Sequence, residues 1–381
     1  MKTTSLNNFT KKYLSLTALL LSVIVTLSGC FPTGENDPDV SDDFSGMDTF
    51  EYSAENLAVS FDIPETPNNA PIRIKLKEKY FDINEMRELF LGNKPIDKLH
   101  SGEGDHHLWT TDKSVLSIVG NDISFRDGPT CRSGQDNWVK NPINYQFNIN
   151  NSKEHFREIY GIGEEIEGFP SQDAIDRALE LCSTLGITNL GKPKVYAFDL
   201  EVYENYKKTP SLWIDSNATL TEEHEVYVLR FPQVIGGIEL ADVNGLQIND
   251  STDNARYGKS SVHSHEVVVG LSRTKIFYFN ADEVYEAEYE IISGEPIKYG
   301  LNYALSELSA YFDRSYFKEG TSFTAANAVY FPVARNEEGY TEYALAWCFY
   351  GLIPKENPNF TENYNIFFLT DSGARLENNY F

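Results

Sequence analysis

Histidines at short spacing are the residues of this chain whose chemistry suits a metal ion. His106 and His107 are adjacent and follow acidic residues, whereas His263 and His265 are two positions apart and would point to the same face of a strand. A tetrahedral zinc site needs three or four such ligands to converge. The sequence cannot bring the two pairs together, and loop histidines are often only solvated. We therefore name all four histidines as metal candidates and predict no other cofactor.

Signatures of catalysis are absent from the sequence. It contains no G-x-S-x-G elbow, H-E-x-x-H pair, phosphate-binding loop or dinucleotide-binding glycine fingerprint. A glycosidase needs two carboxylates about 5–10 Å apart, but among 57 acidic residues some pair will meet that condition by chance. We therefore predict no catalytic residues, and a hydrolase with an unrecognised site is a remote alternative.

The charge of the chain restricts its partners. The formal net charge is −25 at pH 7, which disfavours nucleic acid and favours cationic ions, peptides or proteins. Glu286, Glu288 and Glu290 would share one face of a strand, opposite Tyr289 and Ile291. This row could meet a basic partner, or it could be the solvated side of a sheet.

A third chemistry belongs to the thiol of Cys30. Three lysines and an uncharged, mostly apolar stretch over residues 14–27 precede Leu27-Ser28-Gly29-Cys30. All four positions resemble the lipobox of bacterial lipoproteins. The resemblance implies cleavage before Cys30, a lipid on its thiol, and a location at the extracytoplasmic face of the bacterial cell membrane. The alternative, an uncleaved anchor, would need about 20 apolar residues.

The three other cysteines do not form a disulfide framework, because their number is odd. Cys182 lies on the apolar stripe of a predicted helix and Cys348 within an apolar strand, so both are predicted to be buried. Cys131 lies in a polar, glycine-containing loop, and the sequence does not show whether it is paired.

Composition and periodicity divide the chain into five parts. Residues 1–29 are the predicted signal peptide, and residues 30–56 are the lipidated cysteine and a disordered acidic tether. Residues 57–165 are predicted to be an N-terminal α+β domain, with alternating strands over 57–63 and 72–76, a helix from 82 to 92 and a further strand over 143–149.

The remaining two parts, 166–298 and 299–381, show the same order of elements. Each opens with an amphipathic helix, near 171–186 and 301–312, and continues with strands such as 195–202 or 323–333. We therefore predict an α+β fold in which a helix packed on a curved antiparallel sheet is a module repeated in tandem, preceded by a small N-terminal α+β domain.

The strands carry a family resemblance. Residues 227–238, YVLRFPQVIGGI, and residues 328–333, AVYFPV, with 343–347, YALAW, resemble the YycH and YycI accessory proteins of a cell-envelope two-component system. They are also similar to lipoproteins of unknown function from Gram-positive gut bacteria. The resemblance implies tandem PepSY-like or cystatin-like units, contact with an envelope protein and no catalytic residues. The lipobox replaces the membrane-spanning helix of those accessory proteins.

The predicted function is that of a non-catalytic, lipid-anchored extracytoplasmic protein that contacts or regulates another envelope protein. The predicted contacts are strand edges near Tyr227 and Tyr330 and the turn at Gly236 and Gly237, because an exposed edge can accept a partner strand. A lipoprotein that binds a carbohydrate, a peptide or a metal ion is the alternative. Its aromatic side chains would provide a sugar-stacking surface, although sheets are also rich in them.

Overall fold

A computed structural model describes the chain from residue 44 onwards, with gaps. The described residues are 44, 46–67, 69–94, 96, 98–101, 106–111, 114–127, 145–208, 219–244, 262–263, 265–335, 338–354 and 361–378. The predicted signal peptide, Cys30 and Cys131 lie outside the described residues.

Strands are the main elements of the fold. The described strands are β1 Thr49–Ala54, β2 Leu57–Asp62, β3 Arg73–Glu78, β4 Lys98–Ser101, β5 His106–Thr110, β6 Ser114–Val119, β7 Asp122–Asp127, β8 Lys194–Phe198, β9 Val226–Pro232, β10 Val234–Ile235, β11 Ile238–Leu240, β12 Val243–Asn244, β13 Val262–His263, β14 Glu266–Ser272, β15 Ile276–Ala281, β16 Tyr285–Ser293, β17 Thr321–Arg335, β18 Tyr340–Pro354, β19 Thr361–Leu369 and β20 Arg375–Asn378. The described α-helices are α1 Ile83–Leu91, α2 Tyr145–Asn151, α3 Glu154–Tyr160, α4 Ser171–Thr184, α5 Leu200–Lys208 and α6 Leu301–Arg314.

A ten-stranded mixed sheet is organised around the long hairpin of β17 and β18. The start of β18 pairs with β3, and its later part pairs with β19. In the same way, β17 pairs in parallel with β2 at its start and with β11 further along. The hairpin therefore joins two halves of one sheet, and β16, which pairs with β3, lies at the outer edge of one half.

An eight-stranded antiparallel sheet has the order β4-β5-β6-β7-β15-β14-β9-β8. Alternate residues of its central strands belong to different hydrophobic clusters. Leu229 of β9 lies in one cluster with Ala178 of α4, whereas Val228 lies in another with Tyr203 and Tyr206 of α5. Because both faces are covered, the central strands are continuous apolar runs.

The predicted fold class is wrong. The described residues are mostly β, with 46% in strands and 24% in helices, and they form two large sheets instead of a helix-on-sheet module repeated in tandem. Strand pairing explains the error: β17 pairs with β2, and β15 pairs with β7, which lies in the predicted N-terminal domain. Periodicity indicates which segments are strands, but the partner of each strand depends on contacts distant in sequence.

Two local predictions also fail. Residues 143–149 were expected to form a strand, but α2 spans Tyr145–Asn151. The strand expected over 195–202 ends at Phe198, and α5 begins at Leu200. In both segments the apolar residues are too few to separate a period of two from a period of 3.6.

Candidate functional site

Strand β16 is an exposed sheet edge. It pairs with β3 through Tyr289 opposite Leu76, Glu290 opposite Lys75 and Ile291 opposite Ile74. In the described part of the chain β3 is its only strand partner. An edge strand presents unpaired backbone N–H and C=O groups on its outer side, which can accept a strand from another chain.

Apolar side chains are unusually exposed on this strand. The exposed fractions are 40% for Tyr289, 56% for Ile291 and 43% for Ile292. The other large, exposed hydrophobic residues of the described chain are single residues in different helices, strands or loops. Scattered exposed apolar residues are ordinary, but a group of them on one edge indicates a binding surface.

Acidic side chains occupy the other face of β16. Glu286 accepts a hydrogen bond from Lys77 Nζ at 2.8 Å, and Glu290 Oε2 lies 4.0 Å from Lys75 Nζ. Both lysines belong to β3, on the inner side of the edge strand. Both lysines therefore approach the acidic side chains from β3, and the described residues contain no strand paired with the other side of β16.

The start of β16 is fixed by an unusual backbone conformation at Glu283. Its φ angle is 49°, in the left-handed region that non-glycine residues rarely adopt. The Glu283 N–H donates to Asp122 Oδ1 at 2.6 Å, and the Glu283 carbonyl accepts from Gln233 Nε2 at 3.2 Å. These contacts stabilise the bend at which the chain passes from the eight-stranded sheet into the ten-stranded one.

Ionisable side chains surround this bend. Glu283 Oε2 lies 3.3 Å from His265 Nε2, and Glu283 Oε1 lies 3.9 Å from Arg335 Nη1. Arg335 also pairs with Glu78, whose side chain is 2% exposed. We call Glu78, His265, Glu283 and Arg335 the buried charge cluster. Glu78 and Arg335 belong to the ten-stranded sheet, whereas His265 immediately precedes β14 of the eight-stranded sheet and Glu283 precedes β16.

His265 is the central member of this cluster. The residue is 1% exposed, and its Nδ1 lies 2.7 Å from the carbonyl oxygen of Ala241, so Nδ1 carries a proton. Nε2 lies 2.9 Å from the Tyr343 hydroxyl. Burial opposes the charged ring, but the hydrogen bond and charge of Glu283, with the charge of Asp242, outweigh it and raise the pKa of His265.

Asp242, an exposed residue that follows β11, lies beside the cluster with its carboxyl group directed at His265. Its Oδ1 accepts the backbone N–H of His265 at 2.8 Å. Burial of the carboxyl group, followed by repulsion from Glu266, raises the pKa of Asp242 to about 6, although the charge of His265 opposes the shift. Both groups therefore keep a proton to a higher pH than they would in solvent. The cluster therefore places proton-binding groups next to the base of β16.

We expect the folded protein to lose stability as pH rises through neutrality. The pKa of His265 is higher in the folded protein than its unfolded value of about 6.5. The protonated ring therefore stabilises the fold fully below about pH 6.5, and this stabilisation is lost as pH rises through the folded pKa. The raised pKa of Asp242 also makes stability decrease as pH rises, over a lower pH range. The groups facing His265 are Asp242, Glu283 and Tyr343, with Arg335 behind Glu283. The melting temperature should be lower at about pH 8.5 than at about pH 6.

His265→Gln tests this pH dependence. In this variant most of the decrease in melting temperature between the two pH values should disappear. The control is His107→Gln, in β5, which should keep the full decrease in melting temperature. An unchanged decrease in His265→Gln would contradict the assignment, and so would a His265 ring that, by NMR of the wild-type protein, titrates below pH 6.5.

The structure separates the metal candidates. His265 lies in the buried charge cluster, whereas His107 lies in β5 of the eight-stranded sheet, stacked on Trp109 with a centroid distance of 5.7 Å. The side chains of His106 and His263 lie outside the described residues. Among the described residues, no group of three or more histidine, cysteine, aspartate or glutamate side chains is arranged to hold a metal ion.

The predicted contact residues have different environments. Tyr227 is buried in β9, between β8 and β14, and its hydroxyl donates to the Phe169 carbonyl at 2.7 Å. Tyr330 is buried in β17, and its hydroxyl donates to the Pro71 carbonyl at 3.1 Å. Each tyrosine lies in a strand that is paired on both sides, so the structure corrects the prediction of exposed strand edges near Tyr227 and Tyr330.

The Gly236–Gly237 turn, in contrast, is exposed and lies beside the edge strand. Its φ angles of 59° and 86° require glycine. A Cβ atom on Gly236 would lie 3.9 Å from the Tyr289 hydroxyl. The turn is therefore close to the apolar face of β16. The acidic and apolar alternation of β16 was visible in the sequence, but its edge position depends on the pairing of β3 with β18.

The free cysteines match their predicted environments. Cys182 and Cys348 are both buried and unpaired. Burial raises the pKa of the Cys182 thiol to about 12 and also raises that of Cys348, so both thiols stay protonated at neutral pH.

Comparison with known proteins finds a solved structure with a similar fold. No protein-family model matches the chain, and no curated protein matches it. A crystal structure of an uncharacterized protein from Eubacterium rectale ATCC 33656 is similar, with a TM-score of 0.52 and 11% identity over 87% of this chain and 93% of that chain. At this identity the likeness shows the fold alone, and the YycH and YycI resemblance stays a prediction. Among the described helices, none has both the length and the apolar character needed to cross a bilayer.

Proposed function

We propose that this protein is a non-catalytic, lipid-anchored binding protein at the extracytoplasmic face of a bacterial membrane, and that it contacts another envelope protein through β16. The lipobox at Cys30 supports the location. The observation that carries the binding function is the exposed edge of β16, where Tyr289 and Ile291 stand in solvent. The buried charge cluster lies at the base of this edge, where Glu283 precedes β16.

The partner is proposed to bind by adding a strand to the sheet. Backbone hydrogen bonds to an edge strand provide affinity, and alternate side chains provide specificity. The Gly236–Gly237 turn lies beside Tyr289, so it limits which side chains fit over the apolar face. The long hairpin of β17 and β18 holds β3, and β3 in turn holds β16, so the binding edge is supported by the core of the sheet.

Cross-linking in living cells tests this proposal. A photoreactive amino acid would replace Tyr289 in one variant and Ile291 in another. Val119, a similarly exposed residue at the end of β6 in the other sheet, is the matched control position. We expect both β16 variants to cross-link to the same envelope protein and the Val119 variant not to do so. Equal labelling from all three positions, or none from β16, would contradict the proposal.

A further inference from the structure

The two faces of β16 define the chemistry of the strand that it binds. We propose that its partner segment is an extended stretch of another protein in which cationic side chains alternate with apolar ones, and that this segment pairs along the outer edge of β16. This inference rests on the proposed function and specifies the partner's sequence pattern.

Strand β3, which pairs with β16, shows which side chains pack on each face of β16. Strand β3 has the sequence RIKLKE, in which Lys75 and Lys77 alternate with Ile74 and Leu76. The two lysines meet Glu290 and Glu286, and the two apolar residues lie opposite Ile291 and Tyr289. The register shifts between Tyr285 and Tyr289 but is regular from Tyr289 to Ile291, so over these three residues a strand added on the outer side meets one acidic and one apolar face.

The acidic face is only partly neutralised from within the fold. Lys77 Nζ approaches Glu286 at 2.8 Å, but Lys75 Nζ is 4.0 Å from Glu290 and lies over the Tyr340 ring, 4.3 Å from its centroid. The Glu290 side chain is 71% exposed. Opposite charges on neighbouring strands stabilise a sheet, so lysine or arginine on the incoming strand is favoured at these positions.

The apolar face explains why charge alone is not enough. Tyr289 and Ile291 keep 40% and 56% of their surface exposed although they lie opposite Leu76 and Ile74, which are fully buried. An incoming strand with apolar residues at alternate positions would cover them. A purely basic segment would leave them in water and lose that stabilisation.

A second copy of this chain is a poorer occupant. Pairing two β16 strands would place Glu286, Glu288 and Glu290 opposite the same acidic row of the other copy, and like charges on facing strands are destabilising. The net charge of −25 adds repulsion between copies.

Peptide binding to the mature, lipidated protein in detergent tests the inference. The probe is a nine-residue peptide that alternates lysine with isoleucine or leucine. One comparison peptide has glutamate in place of each lysine, and another has the probe's composition without its alternation. By fluorescence anisotropy we expect the probe to bind at least tenfold more tightly than either, with an affinity that falls as salt is added. Equal affinity for the glutamate peptide would overturn the proposal.

Strand addition is tested separately from charge. N-methylation at alternate peptide residues blocks hydrogen bonds along one side of the peptide, and shifting the methyl groups by one residue blocks the other side. We expect one of the two methylated probes to lose at least tenfold in affinity while the other retains it. Equal binding by both would show attraction to the acidic face without strand pairing and would overturn the inference.

Matched variants locate the site on the protein. Glu288→Lys should weaken probe binding several-fold, whereas Glu51→Lys, on the β1 edge of the same sheet, should leave it unchanged. The proposal would be overturned if Glu288→Lys left the affinity for the probe unchanged. It would also be overturned if sedimentation showed self-association of the wild-type protein that this variant abolishes. If Tyr289 cross-links in cells to a segment without the cationic alternation, this inference fails and the proposed function stands.

Discussion

Replacing Arg335 with methionine should lower the free energy of unfolding by about 3–5 kcal/mol, because it breaks a buried ion pair and leaves its acidic partners uncompensated. Arg335 pairs with Glu78, which is 2% exposed, and also lies beside Glu283. Methionine keeps much of the packing of the arginine stem, so the loss should come mainly from the charge. Urea denaturation at constant pH measures the difference.

Two controls separate this effect from general damage. Arg375→Met removes a partly exposed pair with Glu377, whose Arg375 Nε–Glu377 Oε1 distance is 3.1 Å, and should cost only about 0–1 kcal/mol. Adding Glu78→Gln to Arg335→Met should recover part of the loss, because the buried negative charge is then removed as well. A loss below about 1 kcal/mol for Arg335→Met would show that the buried charge cluster does not stabilise the fold.

Replacing Cys30 with alanine should abolish lipidation completely. In the predicted lipobox the Cys30 thiol would take the diacylglyceryl chain, and alanine offers no nucleophile in its place. Labelling with a radioactive fatty acid should fall to background. Mass spectrometry should find that residues 1–29 are retained, because cleavage follows lipid transfer.

The control for this prediction is Cys131→Ala, which removes a thiol outside the lipobox. It should keep both the fatty-acid label and the mature N-terminus. Persistent labelling of Cys30→Ala would contradict the predicted anchor and, with it, the proposed location.

The sequence predicts local elements well where short-range contacts determine them. Helix α1 begins after Asp82, whose side chain accepts the N–H groups of Asn84 and Glu85, and it ends at Gly92 with a φ of 54°. Its start and end are therefore encoded within one short segment. The apolar stripe of α6 is confirmed in the same way by the burial of Leu305 and Leu308.

The site depends on contacts that no local pattern encodes. Glu283, Arg335 and Glu78 come from distant parts of the chain, and the pairing of β18 with β3 brings them together. His265 was predicted as a metal candidate because its type and spacing are visible in the sequence. Its carboxylate partner, the Tyr343 hydroxyl and the Ala241 carbonyl are visible only in the fold.

The buried charge cluster and the edge strand form one structural unit. Glu283 belongs to the cluster and comes two residues before the start of β16. A change that weakens the cluster should therefore loosen the base of the edge before it affects distant parts of either sheet. The loss of a proton from His265 at higher pH is such a change, so partner affinity and stability are expected to decrease together.

Amide hydrogen exchange tests the central claim most directly. The full-length protein would be compared with and without the alternating lysine and isoleucine peptide, at constant pH. We expect slower exchange over 286–292, the outer edge of β16, with little change in β1, the edge strand on the other half of the sheet. Protection that appears elsewhere while β16 exchanges at its free rate would contradict binding by strand addition at this edge.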